Sequence, residues 1–370
     1  MMLDKEYRPY DNYRHLEKQP PVFEIQIGYG LIPLVQKFPK EEGPLIGELE
    51  YARKEFDAEY GLPLPSAYIR DNMCLAPDEY AIYFNGVEVG KWKVKMGYTL
   101  CIDTGDVAKK LDEKFDKVKE PAFGMEAFFI PDDEKKKYKD AGYACVAPER
   151  VIKTHLYQIA YKNRAKILNQ CMVNQLVNKV RPTNPDVIDD VFFTRGFTTS
   201  QMKIVLNTLL AEDVSIRDMN TILETIADYI EGGSSPFQLA DHIRERMAFS
   251  ILSKYADENK KVHAIFASEN FAEHLWQYIC IPPSGADMPY FALEAEDYKK
   301  IWNKISEHAA RMAEKGFTPL FLVPNHLRLA FANFLKRECP TCRVISDKEA
   351  DAVRKDFSFQ FDGELDWNEN

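Results

Sequence analysis

Positive charge is in deficit here: 48 Lys and Arg stand against 58 Asp and Glu, giving a net charge of −10 and a pI near 5.4. Clustered Lys and Arg drive phosphate binding, so this balance argues against a nucleic-acid partner. Long apolar runs are missing as well. No stretch of about 18 apolar residues occurs, and the opening MMLDKEYRPYDNYRHLEKQPP has no apolar h-region. The chain by itself is therefore expected neither to cross a membrane nor to follow a signal peptide.

Motifs for cofactor or catalytic chemistry are also lacking. No G-x-x-x-x-G-K-[ST] run is present, and GYGLIP (Gly28 to Pro33) supplies only the first two glycines of G-x-G-x-x-G. There is no G-x-S-x-G elbow. The seven histidines, His15, His155, His242, His263, His274, His308 and His326, show no H-E-x-x-H and no metal-ligand spacing. His155 sits in THL within a helical pattern, where a packed histidine is the simpler reading. No cofactor, no metal and no enzymatic activity are expected.

Cysteines are few and unpatterned: seven, at positions 74, 101, 145, 171, 280, 339 and 342, an odd number without framework spacing. That usage suits a reducing cytosol. Only ECPTCRV has chemical content, with Cys339 and Cys342 as C-x-x-C. Zinc would need two further ligands. A thioredoxin-like dithiol places its attacking Cys at a helix N-terminus, whereas this pair follows FANFLKR at a helix C-terminal end, where the dipole disfavours a thiolate. It reads as a structural connector, with a redox pair or a metal ligand as the alternatives.

What is present is ample core material. The 370 residues exceed what one hydrophobic core serves, so two to four domains are expected. Hydrophobic content of 45% and charged content of 29% are those of a soluble globular protein. From Val22, VFEIQI alternates as a strand before a bend at Gly28 and Gly30. Leu45 to Tyr60 has helical spacing closed by Gly61. EYAIYFNGVEVGKWKV reads as a hairpin, because Asn85-Gly86 supplies two positive-φ residues. DDEKKKYKD (Asp132 to Asp140) reads as solvated helix surface, and YACVA (Tyr143 to Ala147) as a strand. A long helix should run from Pro148 through Glu149 to Val180, followed by helices over 200–210, 215–230 and 236–255. Ser215 and Asp218 have capping-box spacing, and Ser235-Pro236 is an N-cap with Pro at the first helical position. After about residue 260 the pattern becomes strand, helix, strand, helix. FQFDGELDWNEN at the end is acidic and without periodicity.

KEPAFGMEAFFI (Lys119 to Ile130) sets Phe123 between Pro121 and Gly124, a stiff connector on which a Phe either plugs a core or meets a partner. Arg70, Asp71 and Asn72 follow a predicted strand, where Asp and Asn satisfy turn amides.

Five collinear stretches carry a family resemblance: IGYGLIPLV (Ile27 to Val35), IRDN (Ile69 to Asn72) with the NGVEVG hairpin, EPAFG (Glu120 to Gly124), THL (Thr154 to Leu156), and VLNTLLAEDVSIRDMNTILETIADY (Val205 to Tyr229). Over roughly residues 22–347, and thinly after Tyr255, the sequence resembles the cytoplasmic part of the FHIPEP family, the export-gate proteins of type III secretion. IGYGLIPLV and IRDN favour the flagellar branch over the injectisome (virulence) branch.

The resemblance implies an α+β / α/β multi-domain fold of four subdomains. The first is mixed α/β (22–97 and 148–167). A small α/β second (98–147) is inserted in it, followed by an all-helical third (168–250) and an α/β fourth (251–350). Residues 1–21 would be a linker from a membrane-embedded half absent from this chain, and 351–370 an acidic tail. It further implies a non-enzymatic receptor on the cytoplasmic face of the bacterial inner membrane. Such a receptor forms a nonameric ring and binds export chaperone–substrate complexes and soluble components associated with the export ATPase. Its chaperone-binding positions match Glu120, Phe123 and Thr154. Gly28 matches a glycine tied to ring formation or conformational change, although a simple bend explains it equally. The cysteine pair departs from the family pattern.

Overall fold

Alternation in VFEIQI becomes β1 (Phe23–Ile27), whose Phe23 and Ile25 are wholly buried. The computed structural model describes residues 20–37, 41–105, 107, 115–283 and 287–367. Residues 1–19 of the expected linker and 368–370 of the expected tail lie outside the described residues. The fold is mixed α/β with several sheets, and the chain separates into two units, Met1–Ile167 and Leu168–Asn370.

In the first unit, α1 (Pro44–Tyr60) opens with Pro and ends at Gly61 in the left-handed region. β2 (Ala67–Asp71), β3 (Glu79–Phe84) and β4 (Val87–Lys93) join β1 in the order β2-β1-β3-β4, with β2 parallel and the others antiparallel. Asn85 and Gly86 have φ of 49° and 81°, as the hairpin requires. Asn72 ties the end of β2 to β1: its side-chain amide donates to Gln26 Oε1 at 2.6 Å, and its Oδ1 accepts the Cys74 amide at 2.8 Å.

A second, antiparallel sheet follows, in the order β8-β5-β7-β6, from β5 (Tyr98–Ile102), β6 (Val118–Lys119), β7 (Glu126–Pro131) and β8 (Ala144–Val146). The short α2 (Lys135–Asp140) covers it through Tyr138, which packs with Phe128 and Tyr143.

α3 (Pro148–Lys162) then returns to α1. Phe56 meets Tyr157 edge-on at 5.3 Å, and Lys153 and Arg150 bridge Glu55 and Glu48 at 2.7 and 3.0 Å. The single helix expected from Pro148 to Val180 is broken. The Asn163 side chain bonds back to the Ile159 carbonyl at 2.9 Å, and Asn169 is extended and caps a new helix, α4 (Gln170–Val180), by accepting the Met172 amide at 3.0 Å. Asn competes with helical backbone for hydrogen bonds, and here it does so twice within seven residues.

The second unit begins with α4, α5 (Thr199–Ala211), α6 (Met219–Tyr229) and α7 (Pro236–Arg246). Short helical turns over Pro185–Asp189 and Asp190–Thr194, unanticipated from sequence, precede α5. Ser235 and Gln238 form the capping box of α7, whereas Ser215 does not cap α6. Asp218 does, accepting from the Thr221 amide at 3.0 Å, while Ser215 takes the Arg217 amide in a local turn. The helix expected over 236–255 stops at Arg246, and a short turn over Ala248–Leu252 follows.

Four parallel strands, β9 (Lys261–Ala267), β10 (Leu320–Val323), β11 (Arg343–Ser346) and β12 (Ser358–Leu365), lie in the order β11-β10-β9-β12. They are packed with α8 (Glu269–Trp276), α9 (Ala295–Glu314), α10 (Asn325–Glu338) and α11 (Asp347–Ala352). The tail expected over 351–370 is thus corrected: 351–352 end α11, and 358–365 form an edge strand. Phe357 and Phe359 pack on the core. Asp362, which breaks the apolar pattern, is answered by His263 Nδ1 at 2.6 Å and Lys315 Nζ at 2.8 Å, next to a register shift in the ladder. Cys339 caps α10 and is disulfide-bonded to Cys342, with Cα atoms 5.4 Å apart, in the segment between α10 and β11.

Buried charge joins the helical part of this unit to the sheet part. Arg328 of α10 is fully buried and reaches Glu212, at the end of α5, at 2.5 Å and also Asp241 of α7. Arg244 of α7 bridges Glu212 at 3.0 Å and Glu349 of α11 at 2.8 Å. Among the described residues, no helix is long and apolar enough to cross a membrane.

Gly28 sits just past β1 with φ −67° and ψ 157°, extended backbone that any residue adopts. Space is what it lacks: a Cβ there would stand 2.0 Å from the Ala76 carbonyl oxygen and 2.9 Å from that of Pro77. Its own amide donates to the Glu79 carbonyl at 2.8 Å, so the chain cannot easily retreat. Gly28→Ala is expected to destabilise the first unit by about 1–3 kcal/mol or more, lowering its melting temperature by several degrees. Calorimetry of the variant against the parent checks this, and an unchanged transition would show that the 76–77 segment gives way freely.

Candidate functional site

β6 and β7 are joined by Glu120 to Met125, a turn whose geometry one side chain dictates. The Glu120 amide donates to the Met125 carbonyl at 2.9 Å, and the Gly124 amide to the Glu120 carbonyl at 3.1 Å. The Glu120 carboxylate accepts the amides of Ala122 at 2.8 Å, of Phe123, and of Met125 at 3.2 Å. Gly124 takes φ +75°, which a side chain there would oppose. Charged acceptors make the stronger backbone bonds, so the turn is pinned from inside.

That pinning separates the residues of EPAFG. Glu120 is 5% exposed and Ala122 is buried, while Phe123 is 60% exposed and Met125 is 37% exposed. The carboxylate lies behind the surface and spends its oxygens on the loop's own amides, and the ring is displayed.

α3 contributes His155, buried and 2.9 Å through Nδ1 from the hydroxyl of Tyr80 on β3, itself wholly buried. Gly90 of β4 makes room for the imidazole, since a Cβ there would come within 2.7 Å of His155 Cε1 and Nε2. Burial pushes the Tyr80 hydroxyl well above the ordinary tyrosine range, and the Glu120 charge adds to it. Burial lowers His155 to about 4, with the Glu120 charge opposing and Lys162 assisting. The Glu120 charge acts on both groups, and Thr154 is half-buried next to His155 in the THL turn of α3. Glu120 and Phe123 share the turn between β6 and β7, whereas Thr154 stands on α3, in the helical turn that carries His155.

Gly28 lies elsewhere, one residue beyond Ile27, whose cross-strand partner is Tyr80. Tyr80 and Gly90 were not singled out from sequence. A glycine inside the alternating VEVGKWKV was the available signal, because it marks close approach of another element. Among the described residues, no group of three or more His, Cys, Asp and Glu is placed to hold a metal ion.

The architecture is that of type III secretion cytosolic domains. It matches the Chlamydia pneumoniae CdsV protein with a TM-score of 0.81 at 19% identity, covering 94% of this chain and 98% of that one. It also matches the nonameric SctV-C of EPEC with a TM-score of 0.74 at 15% identity, covering 94% and 99%. The chain belongs to the FHIPEP family, whose model matches residues 5–355. Its curated relatives include the flagellar biosynthesis protein FlhA of Salmonella typhimurium, 30% identical over 325 residues, and that of Borreliella burgdorferi, 31% identical over 325 residues. Those alignments cover 88% and 87% of this chain but 45% of each relative, so the chain spans about half their length.

His155 sets a pH dependence whose sign is fixed. Its folded value, about 4, lies below the ordinary 6.5. The stability it contributes is therefore present above pH 6.5 and lost as pH falls towards 4. Between about pH 6 and 4.5 the unfolded chain carries one more proton here, giving a slope of about 1.4 kcal/mol per pH unit. Hydrogen exchange within residues 20–167 should report that slope, and His155→Gln should remove it. An equal slope in the variant would assign the titration to another group.

Proposed function

We propose that this chain is the cytoplasmic docking platform of a flagellar type III protein export gate, a receptor rather than an enzyme, facing the cytoplasm at the inner membrane. Its contact for export chaperones carrying their substrates is Phe123. The observation that carries this reading is the ring itself, 60% exposed on a turn held by a buried carboxylate. An apolar ring on fixed backbone loses little freedom when a partner covers it, and covering it contributes on the order of 1.5–3 kcal/mol. Phe123 and Thr154 meet the partner, while Glu120 works from behind the surface and sets the turn.

Four subdomains divide the chain in this reading, the second inserted in the first. Assembly into a nonameric ring is supported by the likeness to SctV-C and to the EscV cytosolic domain, both nonameric. Docking of soluble export components is supported by the likeness to CdsV in complex with CdsO. Linked copies raise effective concentration, so a weak site per subunit suffices. Gly28 has a conformational role through the 76–77 segment, which leads directly into β3 and Tyr80. The 30% and 31% identities to flagellar relatives, against 15% and 19% to the injectisome-type structures, favour the flagellar branch.

Phe123→Ala is expected to leave the melting transition in place and to weaken binding of a purified chaperone–substrate complex roughly tenfold to a hundredfold in calorimetry. Unaltered affinity, or loss of the fold, would remove Phe123 from the site. A dithiol redox protein acting through Cys339 and Cys342 is the reading from another class. Replacing both by Ser should leave substrate export into the medium unchanged, and loss of export with an intact fold would favour the redox reading.

A further inference from the structure

The buried cluster of the second unit does not balance. Arg328 and Arg244 bring two positive charges, and Glu212, Asp241 and Glu349 bring three negative ones. Arg328, Arg244 and Glu349 are 0, 3 and 1% exposed, Asp241 8% and the Glu212 side chain 15%, so water screens the surplus only weakly. A buried unpaired charge is costly enough that the group neutralises instead.

Donor count identifies where the proton resides. Glu212 takes Arg328 at 2.5 and 3.4 Å and Arg244 at 3.0 Å. Glu349 accepts the Ser346 amide at 2.8 Å, in the capping box of α11, and pairs by charge alone with Arg244 at 2.8 Å. Asp241 has Arg328 alone among the described residues. The carboxylate with the fewest donors gains least from ionisation.

We propose that this cluster is a proton-linked latch between the helical part and the parallel-sheet part of the second unit, closed with a proton on Asp241 and opening more often once that proton has left. Glu212 lies at the end of α5 and Asp241 and Arg244 on α7, whereas Arg328 and Glu349 lie on α10 and α11, so opening the latch separates the two sets.

The electrostatics agree. Burial raises the Asp241 carboxyl to about 7, with Arg328 opposing and Glu212 adding, then Arg244 opposing and Glu349 adding. Burial also works against ionised Glu212, but Arg328, Arg244 and Lys336 outweigh it and hold that group low. On the same helix, His242 stacks on Tyr229 at 3.9 Å and lies 3.6 Å from Glu245, which also approaches Lys348 at 3.6 Å.

The sign follows from a folded value above the ordinary 3.8. The closed form holds a proton that the opened form sheds, so the stabilisation is full at the acid end and is lost as pH rises to about 7. One linked proton makes opening about tenfold more frequent per pH unit up to that point, levelling off above it.

Hydrogen exchange of the α7, α10 and α11 amides in the full chain, corrected for intrinsic rates, tests the latch from pH 5 to 8. Opening should increase roughly a hundredfold over that range in the parent. Asp241→Asn should remove the increase while leaving His242 and Glu245 as they are. Glu212→Gln, which balances the cluster with Asp241 ionised, should move the increase below pH 5. A parent protein that opens equally at pH 5 and 8, or an Asp241→Asn variant with the parent's slope, would overturn the proposal. Should Asp241→Asn not fold, the parent profile and Glu212→Gln decide it.

Discussion

Taking a guanidinium wholly out of water costs several kcal/mol unless other groups replace the hydration, and Arg328 has no exposed surface. The second unit is organised around meeting that demand. α5 must end where Glu212 reaches Arg328, α7 must present Asp241 to it, and Arg244 must carry the same network on to Glu349 and to the Val344 carbonyl at 2.9 Å. Apolar packing alone would tolerate sliding between helices and sheet. Directional ion pairs among buried groups tolerate much less, because a lost partner leaves a charge stranded. Register between the two parts of this unit is therefore set by charge, and the surplus negative charge is the condition attached to it.

The same logic operates on a smaller scale at Glu120. A carboxylate removed from solvent is satisfied by amides of the turn that follows it, and the turn becomes stiff as a consequence. Phe123 stands 60% exposed between Pro121 and a left-handed Gly124. Tyr80, His155 and Gly90 settle where α3 lies against the first sheet, and so where Thr154 stands. Steric exclusion at one glycine and one buried hydrogen bond accomplish this without any special chemistry.

Much of the fold was legible because local chemistry agrees with it. Asn85-Gly86 wrote its own turn, Ser235-Pro236 its own helix start, and the alternation from residue 22 its strand. Misreadings fell where a polar residue competed with the pattern or concealed it. Asn163 and Asn169 broke a helix whose apolar spacing continues through them, and Asp218 took the cap that Ser215 was expected to hold. Asp362-Gly363 hid an edge strand, since a salt bridge formed only in the folded chain makes an Asp acceptable there. At the site, EPAFG and THL were visible as motifs, but Tyr80 was not, because nothing local marks a tyrosine whose partner lies 75 residues away.

By itself the sequence determined much of the order of helices and strands and, through five short stretches, the family. Those properties depend on residues close together in the chain or on composition. Only tertiary structure decided that Glu120 faces inward and Phe123 outward, that Gly28 is needed for room and not for backbone freedom, and that three carboxylates share two guanidiniums. Burial, close approach and charge balance arise between segments far apart in sequence, and they exist only once the chain has brought those segments together.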